Sequence, residues 1–212
     1  MSTWGSLAGK DRKKGSETSM NDDDPMTCDE EEIAAVVATN VTGTILGTRA
    51  AILALSQQPD GTGGGHIFNM DGAGSTGTAT PGFAAYGASK LAISSLHKSV
   101  KAELKEASTS SSSKKIDSIA LHRLSPGMCT TDLLMKGASR PKAKFFVNVL
   151  AEPPEASASF LVPRVREIAR KPPSSGPDNA PSAAFLTPVK ALGLLLARVT
   201  TGARKDRFLV EE

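Results

Sequence analysis

Residues 83–93 read Phe-Ala-Ala-Tyr-Gly-Ala-Ser-Lys-Leu-Ala-Ile, and without a proline they run on through Ile93, Leu96, Val100 and Leu104. Apolar intervals of three and four are helical. Tyr86 and Lys90, four apart, then share one face of a helix, a turn from each other. A free phenol has a pKa of about 10 and is a poor proton donor or acceptor near neutrality. A cation within roughly 4–6 Å favours the phenolate, so the spacing predicts a lowered Tyr86 pKa. A drop of two to three units asks the site for about 3–4 kcal/mol. The bland alternative is an ordinary helix whose Tyr and Lys face solvent, and the flanking segments decide against it. His66 to Met70 is a short, nearly all-apolar run, as in a buried parallel sheet. A Gly/Ser/Thr-rich loop from Asp71 to Pro81 joins it to the helix, and a second apolar run, Ile116 to Leu124, follows.

That second run ends in Ser-Pro126-Gly127-Met-Cys-Thr-Thr131-Asp. The ordered set of strand, small-residue loop, Tyr-x-x-x-Lys helix, strand, Pro-Gly and Thr four residues later resembles the short-chain dehydrogenase/reductase family. Asn40, within Thr39-Asn-Val-Thr-Gly43, stands where that family keeps its helix asparagine. The resemblance implies an α/β fold, a partial Rossmann-like doubly wound parallel sheet corresponding to the C-terminal portion of such a reductase. It implies catalytic roles for Tyr86, Lys90, Asn40 and Ser75. Tyr86 would be the proton donor and Lys90 would tune it and hold the cofactor ribose. Asn40 would hold a water linking Lys90 to solvent. Tyr86, Lys90, Pro126, Gly127 and Thr131 would contact the cofactor. The family's carbonyl-binding serine is expected about thirteen residues before Tyr86, but position 73 is Ala. Three donors stay open: Ser75, a protonated Asp71, and backbone N–H groups of the glycine loop.

Within the family, His66 to Ser75, Ser125 to Leu134 and Phe185-Leu-Thr-Pro188 with its basic finish are similar to the chlorophyll(ide) b reductases, the non-yellow-colouring branch. The similarity covers roughly residues 30–212. It implies reduction of the 7-formyl group of chlorophyll b to hydroxymethyl, with NADPH, in chloroplasts. It implies chlorophyll(ide) b as partner, a homologous reductase subunit, and peripheral thylakoid contact. The alternative is a non-catalytic relative that binds a partner reductase or pigment. Of the family's Asn-Asn-Ala-Gly strand end, only Ala8 and Gly9 are matched, near Trp4. The strands and glycine turn that bind pyrophosphate are therefore expected upstream of Trp4, and the chain alone is expected to bind NADPH no better than millimolar.

The remaining composition narrows the function. A chain of 212 residues with 39% hydrophobic content is long enough for one domain with a core. With 25 basic against 22 acidic residues, its charge is too balanced to argue for nucleic acid. Cys28 and Cys129 make no disulfide framework, and His66, His97 and His122 lack metal-ligand spacing, so no metal site is expected. No run reaches 18 apolar residues, so no spanning helix is expected.

Along the chain, residues 1–26 read as a flexible segment, and residues 27–212 as one partial reductase domain. A helix is expected from about Thr27 or Asp29 to Leu55, with a break near Asn40, its first turn made acidic by Asp29 to Glu32. Gln57 to Gly65 reads as a loop. Gly72-Ala-Gly-Ser-Thr-Gly77 matches a dinucleotide fingerprint, but no helix opens on its last glycine and no acid lies twenty residues on. This loop is assigned to the substrate side. Residues 108–115 read as a low-complexity surface loop, and 141–170 as helix broken at Pro153-Pro154 and at Pro163. Residues 171–181 read as loop and Ala183 to Thr187 as a last strand. Pro188 opens an apolar helix that ends near Arg198, Arg204, Lys205 and Arg207. Docking on the domain is its first reading, and contact with an anionic membrane its second.

Overall fold

The computed structural model describes residues 30–59, 64–79, 83–110, 118–136, 138, 141–173 and 183–211. The expectations for residues 1–26, for Cys28 and for the start of the first helix fall outside them. Three strands, β1 (Gly65–Met70), β2 (Ile119–Ser125) and β3 (Ala183–Ala184), form one parallel sheet in the order β1-β2-β3. The register runs from Gly65↔Ile119 to Met70↔Leu124, then Leu124↔Ala183 and Ser125↔Ala184. The last strand is shorter than the expected 183–187. Its backbone turns away at Phe185 toward Pro188, whose missing N–H cannot join a ladder.

The first helical stretch comes in three parts: α1 (Glu30–Val37), a π-helical turn (Ala38–Thr42) and α2 (Gly43–Ser56). The expected break near Asn40 is thus one wide turn, inside which Asn40 sits. By length and composition, Glu30–Ser56 is the one described helix that could cross a membrane. Here it packs on α3 and β1. Its buried Thr48 exchanges hydrogen bonds with Asn69 of β1 at 3.1 and 3.3 Å.

Helix α3 (Ala84–Ser110) carries Val100 and Leu104 into a core shared with Ile67, Ile119 and Leu121, with Ala51, Ile52, Leu55 and Leu96 around it. Burying each of the larger side chains contributes about 1.5–3 kcal/mol. The helix runs into the segment expected as loop. Ser108 and Thr109 continue it because their hydroxyls bond back to Lys105 O and Glu106 O, at 2.7 and 2.8 Å.

Beyond β2 come α4 (Asp132–Lys136), α5 (Pro141–Leu150), α6 (Pro154–Ala169) and α7 (Pro188–Thr201). The break at Pro153 is present, but α6 continues through Pro163. Pro163 and Ser159, whose carbonyl loses its partner, are both exposed, so water can satisfy that group. Helix α7 presents Val189, Leu192, Leu196 and Val199 to solvent. The arginines near its end are engaged by the domain: Arg198 with Glu211, and Arg204 and Arg207 with Glu152. The C-terminal turn folds back onto α5, where buried Asn148 accepts from Phe208 N and Leu209 N and donates to Leu209 O.

Candidate active site

The parallel register puts the C-terminal ends of β1, β2 and β3 at one edge, where open α/β sheets bind their ligands. Two loops leave there. The first begins at Asp71, whose N–H donates to Leu124 O at 2.7 Å. The second is Pro126 to Thr131, beside Phe185, whose N–H donates to Ser125 O at 2.8 Å.

Tyr86 lies in the first turn of α3 and Lys90 one turn on, its ammonium 5.5 Å from the phenol ring centre. Lys90 is 7% exposed and donates to Met70 O at 3.3 Å, the carbonyl that ends β1. The loop closes over both side chains at Gly72. A methyl group there would overlap the Tyr86 hydroxyl and approach Lys90 Cε and Cδ to 3.1 and 3.3 Å. Gly74, at φ +90°, packs on the backbone of α3 at Gly87, where a side chain would lie 2.6 Å from Cα. Gly72 and Gly74 of the fingerprint-like stretch therefore let the loop approach α3, and the stretch does not open a helix. Ser75 stands in the same turn, its N–H donating to Gly72 O at 3.2 Å.

Asn40 reaches this cluster from the π turn. It donates through Nδ2 to Ser89 Oγ at 3.0 Å, and Ser89 donates to Tyr86 O at 2.7 Å. An extra residue in a helical turn is a common device for aiming a functional side chain. Pro126, Gly127 and Thr131 stand on the neighbouring loop. Gly127, at φ +75°, lies against Leu186 and Phe185, and Pro126 O accepts from Ser157 Oγ at 2.8 Å. Thr131 is exposed, and its hydroxyl accepts from Leu134 N at 3.4 Å, capping α4.

The electrostatics correct one expectation. Tyr86 has its pKa raised, chiefly by burial and then by the Asp71 carboxylate. Burial lowers that of Lys90, with Asp71 opposing. Desolvation of the phenol outweighs a cation 5.5 Å from the ring that is itself partly desolvated. Asp71 is also not placed as a protonated donor. Its Oδ1 accepts the Gly72 N–H at 2.9 Å and its Oδ2 pairs with Arg123 Nη1 at 3.5 Å, an arrangement for a carboxylate. The Gly72 loop was assigned to the substrate side from the sequence, whereas Ser89 and Arg123 were not singled out as site residues. The available signal was His122-Arg123, two polar residues inside an apolar strand run.

Among the described residues Lys90 makes one hydrogen bond, to Met70 O, and its other N–H donors are available to a ligand. A buried ammonium with donors to give, beside a protonated phenol, fits a nicotinamide ribose and a carbonyl group.

The profile of the short chain dehydrogenase family matches residues 18–142, more than half of the chain. The chlorophyll(ide) b reductase NOL of Arabidopsis thaliana, named as chloroplastic, is 46% identical over 183 residues, covering 86% of this chain and 49% of that protein. A probable chlorophyll(ide) b reductase, NYC1 of the same plant, is 39% identical over 86% of this chain and 32% of its own length. The chain thus spans from about a third to about half the length of these curated relatives. Among solved structures, the 3-ketoacyl-(acyl-carrier-protein) reductase of Brucella melitensis, complexed with NADH, superposes with a TM-score of 0.54. It is 21% identical, over 78% of this chain and 60% of that one.

Proposed function

The chain belongs to the short-chain dehydrogenase family, and from that premise we propose that it reduces the formyl group of chlorophyll(ide) b to hydroxymethyl with NADPH in the chloroplast. The observation that carries the reading is the closure of Gly72 over the Tyr86 hydroxyl and the Lys90 stem at the C-terminal edge of the sheet. The relatives' names supply the substrate and the compartment.

In this reading Tyr86 holds a proton on Oη and delivers it to the carbonyl oxygen as that oxygen gains charge. A raised phenol pKa suits the reducing direction, because the acid form must be populated at working pH. Lys90 holds the ribose and offsets the charge left on Tyr86. Asn40 and Ser89 anchor the backbone carbonyl of Tyr86, and a water held by Asn40 would link Lys90 to solvent for reprotonation. The Ser75 hydroxyl, or loop N–H groups other than those of Gly72, Ser75 and Gly77, which are already engaged, would polarise the formyl oxygen. Pro126, Gly127 and Thr131 would border the nicotinamide side of a bound cofactor, which would supply the hydride. Peripheral contact with the thylakoid surface, through the exposed Val189, Leu192, Leu196 and Val199 of α7, belongs to the same reading. So does pairing with a homologous subunit.

The test is an assay of the chain, and of the chain joined behind the first half of its Arabidopsis relative, with NADPH and chlorophyllide b. Hydroxymethyl product separated by chromatography is expected from the joined protein, and none from its Tyr86→Phe variant. Folded joined protein that yields no product would overturn the substrate assignment.

A further inference from the structure

Behind the phenol, side chains from the loop, α3 and β2 meet in a line. Ser94 Oγ of α3 accepts from Arg123 Nη1 at 2.8 Å, and the same nitrogen lies 3.5 Å from Asp71 Oδ2. The other oxygen of Asp71 accepts the Gly72 N–H at 2.9 Å. Gly72 in turn abuts the Tyr86 hydroxyl, so that a side chain there would displace it. The register makes this line: Arg123 pairs with Asn69, and Asp71 follows two residues after Asn69, so both stand at the same end of the sheet.

We propose that Arg123 is a positioning residue for the proton donor. Through Asp71 it fixes the Asp71–Gly72 peptide against the Tyr86 hydroxyl and offsets the negative charge beside it. The inference rests on the reading of Tyr86 as the proton donor. It does not depend on which carbonyl compound is reduced.

The charges around Tyr86 support this. The loop presents Asp71, its own helix presents Lys90, and β2 presents Arg123 behind Asp71. The π turn presents neutral Asn40, through Ser89. Asp71 is the charged group that acts on the phenol, in the direction that disfavours ionisation. His97 lies close enough to feel both Arg123 and Asp71. Burial, then Arg123, lower its pKa to about 4, so it stays neutral where Tyr86 titrates. Removing the guanidinium leaves the Asp71 carboxylate unopposed at the phenol and unanchors Gly72. Removing the carboxylate takes away the object on which Arg123 acts.

Tyr86 is the only tyrosine of the chain, so its titration can be read without cofactor or pigment. With ring-labelled ¹³C-tyrosine incorporated, one resonance follows its ionisation, and circular dichroism confirms the fold at each pH. Relative to wild type, Arg123→Gln is expected to raise the phenol titration by about half to one pH unit. Asp71→Asn is expected to lower it by a similar amount, and the double variant to match Asp71→Asn. With an active protein, turnover of Arg123→Gln should fall about tenfold, as expected for a misplaced reacting group. Its alkaline limb should move with the phenol, and Arg123→Lys should restore the limb. An Arg123→Gln phenol that titrates as in wild type overturns the proposal, as does a shift that persists in the Asp71→Asn background. If Arg123→Gln does not fold, the other two variants decide: an Asp71→Asn phenol unchanged from wild type, or an Arg123→Lys phenol displaced from it, is the overturning result. Expected titrations without pigment reduction would instead count against the substrate reading alone.

Discussion

Asp71 and Glu152 are both carboxylates that meet arginine, and their surroundings differ in almost every other respect. Glu152 receives two guanidiniums, Arg204 at 2.7 Å and Arg207 at 2.5 Å, and both also donate to Ala151 O. Its pKa is lowered, first by the Arg207 hydrogen bond, with burial opposing. Beside it, Asn148 is fully buried and uses both ends of its amide on the returning C-terminal turn. Asp71 meets one guanidinium at a longer 3.5 Å, and that arginine is shared with Ser94. Its other neighbours, Tyr86 and Lys90, have charged forms that burial disfavours, and His97 Nδ1 is buried with no partner among the described residues. The Glu152 cluster is saturated, as a clamp should be. In the Asp71 cluster burial, and not pairing, displaces the proton affinities of Tyr86 and Lys90, and Lys90 keeps donors to be used, as a site for a ligand should.

The comparison can be broken from either side. The largest effect is expected at Tyr86. In the active protein Tyr86→Phe should lower turnover on the order of 10²-fold or more, with melting unchanged. Wild-type turnover would remove the phenol from the mechanism. Gly72→Ala should follow, with a loss of about ten- to a hundredfold, because the added methyl displaces the hydroxyl it overlaps. Its melting temperature should move little, since the atoms the methyl meets are side-chain atoms of Tyr86 and Lys90, which can turn aside. A variant that melts early yet works normally would move Gly72 into the structural cluster.

Asn148→Ala should show the opposite pattern. It strands Phe208 N, Leu209 N and Leu209 O and should cost about 2–4 kcal/mol of stability. Denaturant unfolding measures the cost, and limited proteolysis should cut first near Leu209. The smallest effect concerns pH. Because the folded Glu152 carboxyl lies below its ordinary value, its contribution is complete above the unfolded pKa of about 4.3 and is lost as pH falls through the folded one. Glu152→Gln should flatten that acid-side loss, worth about 1 kcal/mol at this partly exposed site. Melting curves between neutral and acid pH that fall equally in both proteins would assign the loss elsewhere.

Much of this was legible in the chain because it is local. The four-residue interval of Tyr86 and Lys90 fixes a shared helix face, and the apolar periodicity to Leu104 fixes the side that is buried. Pro188 at the head of α7 and the interruption at Asn40 were readable for the same reason. Where local reading failed, solvent or side-chain bonding overrode propensity: α6 passes Pro163 on an exposed face, and α3 continues through Ser108 and Thr109.

The sequence by itself determined the order of strand, loop, helix and strand, and with it the placing of Tyr86 and Lys90 one turn apart on a single helix face. Only the tertiary structure decided their chemistry. The Tyr86 shift comes from burial and from Asp71, and Asp71 lies 3.5 Å from Arg123, which stands on another strand. Likewise Arg198 of α7 turns to Glu211, and Arg204 and Arg207 beyond it turn to Glu152, a pairing that no local pattern contains. Periodicity is set by neighbours along the chain. Desolvation and charge are set by neighbours in space, which the sheet register brings together.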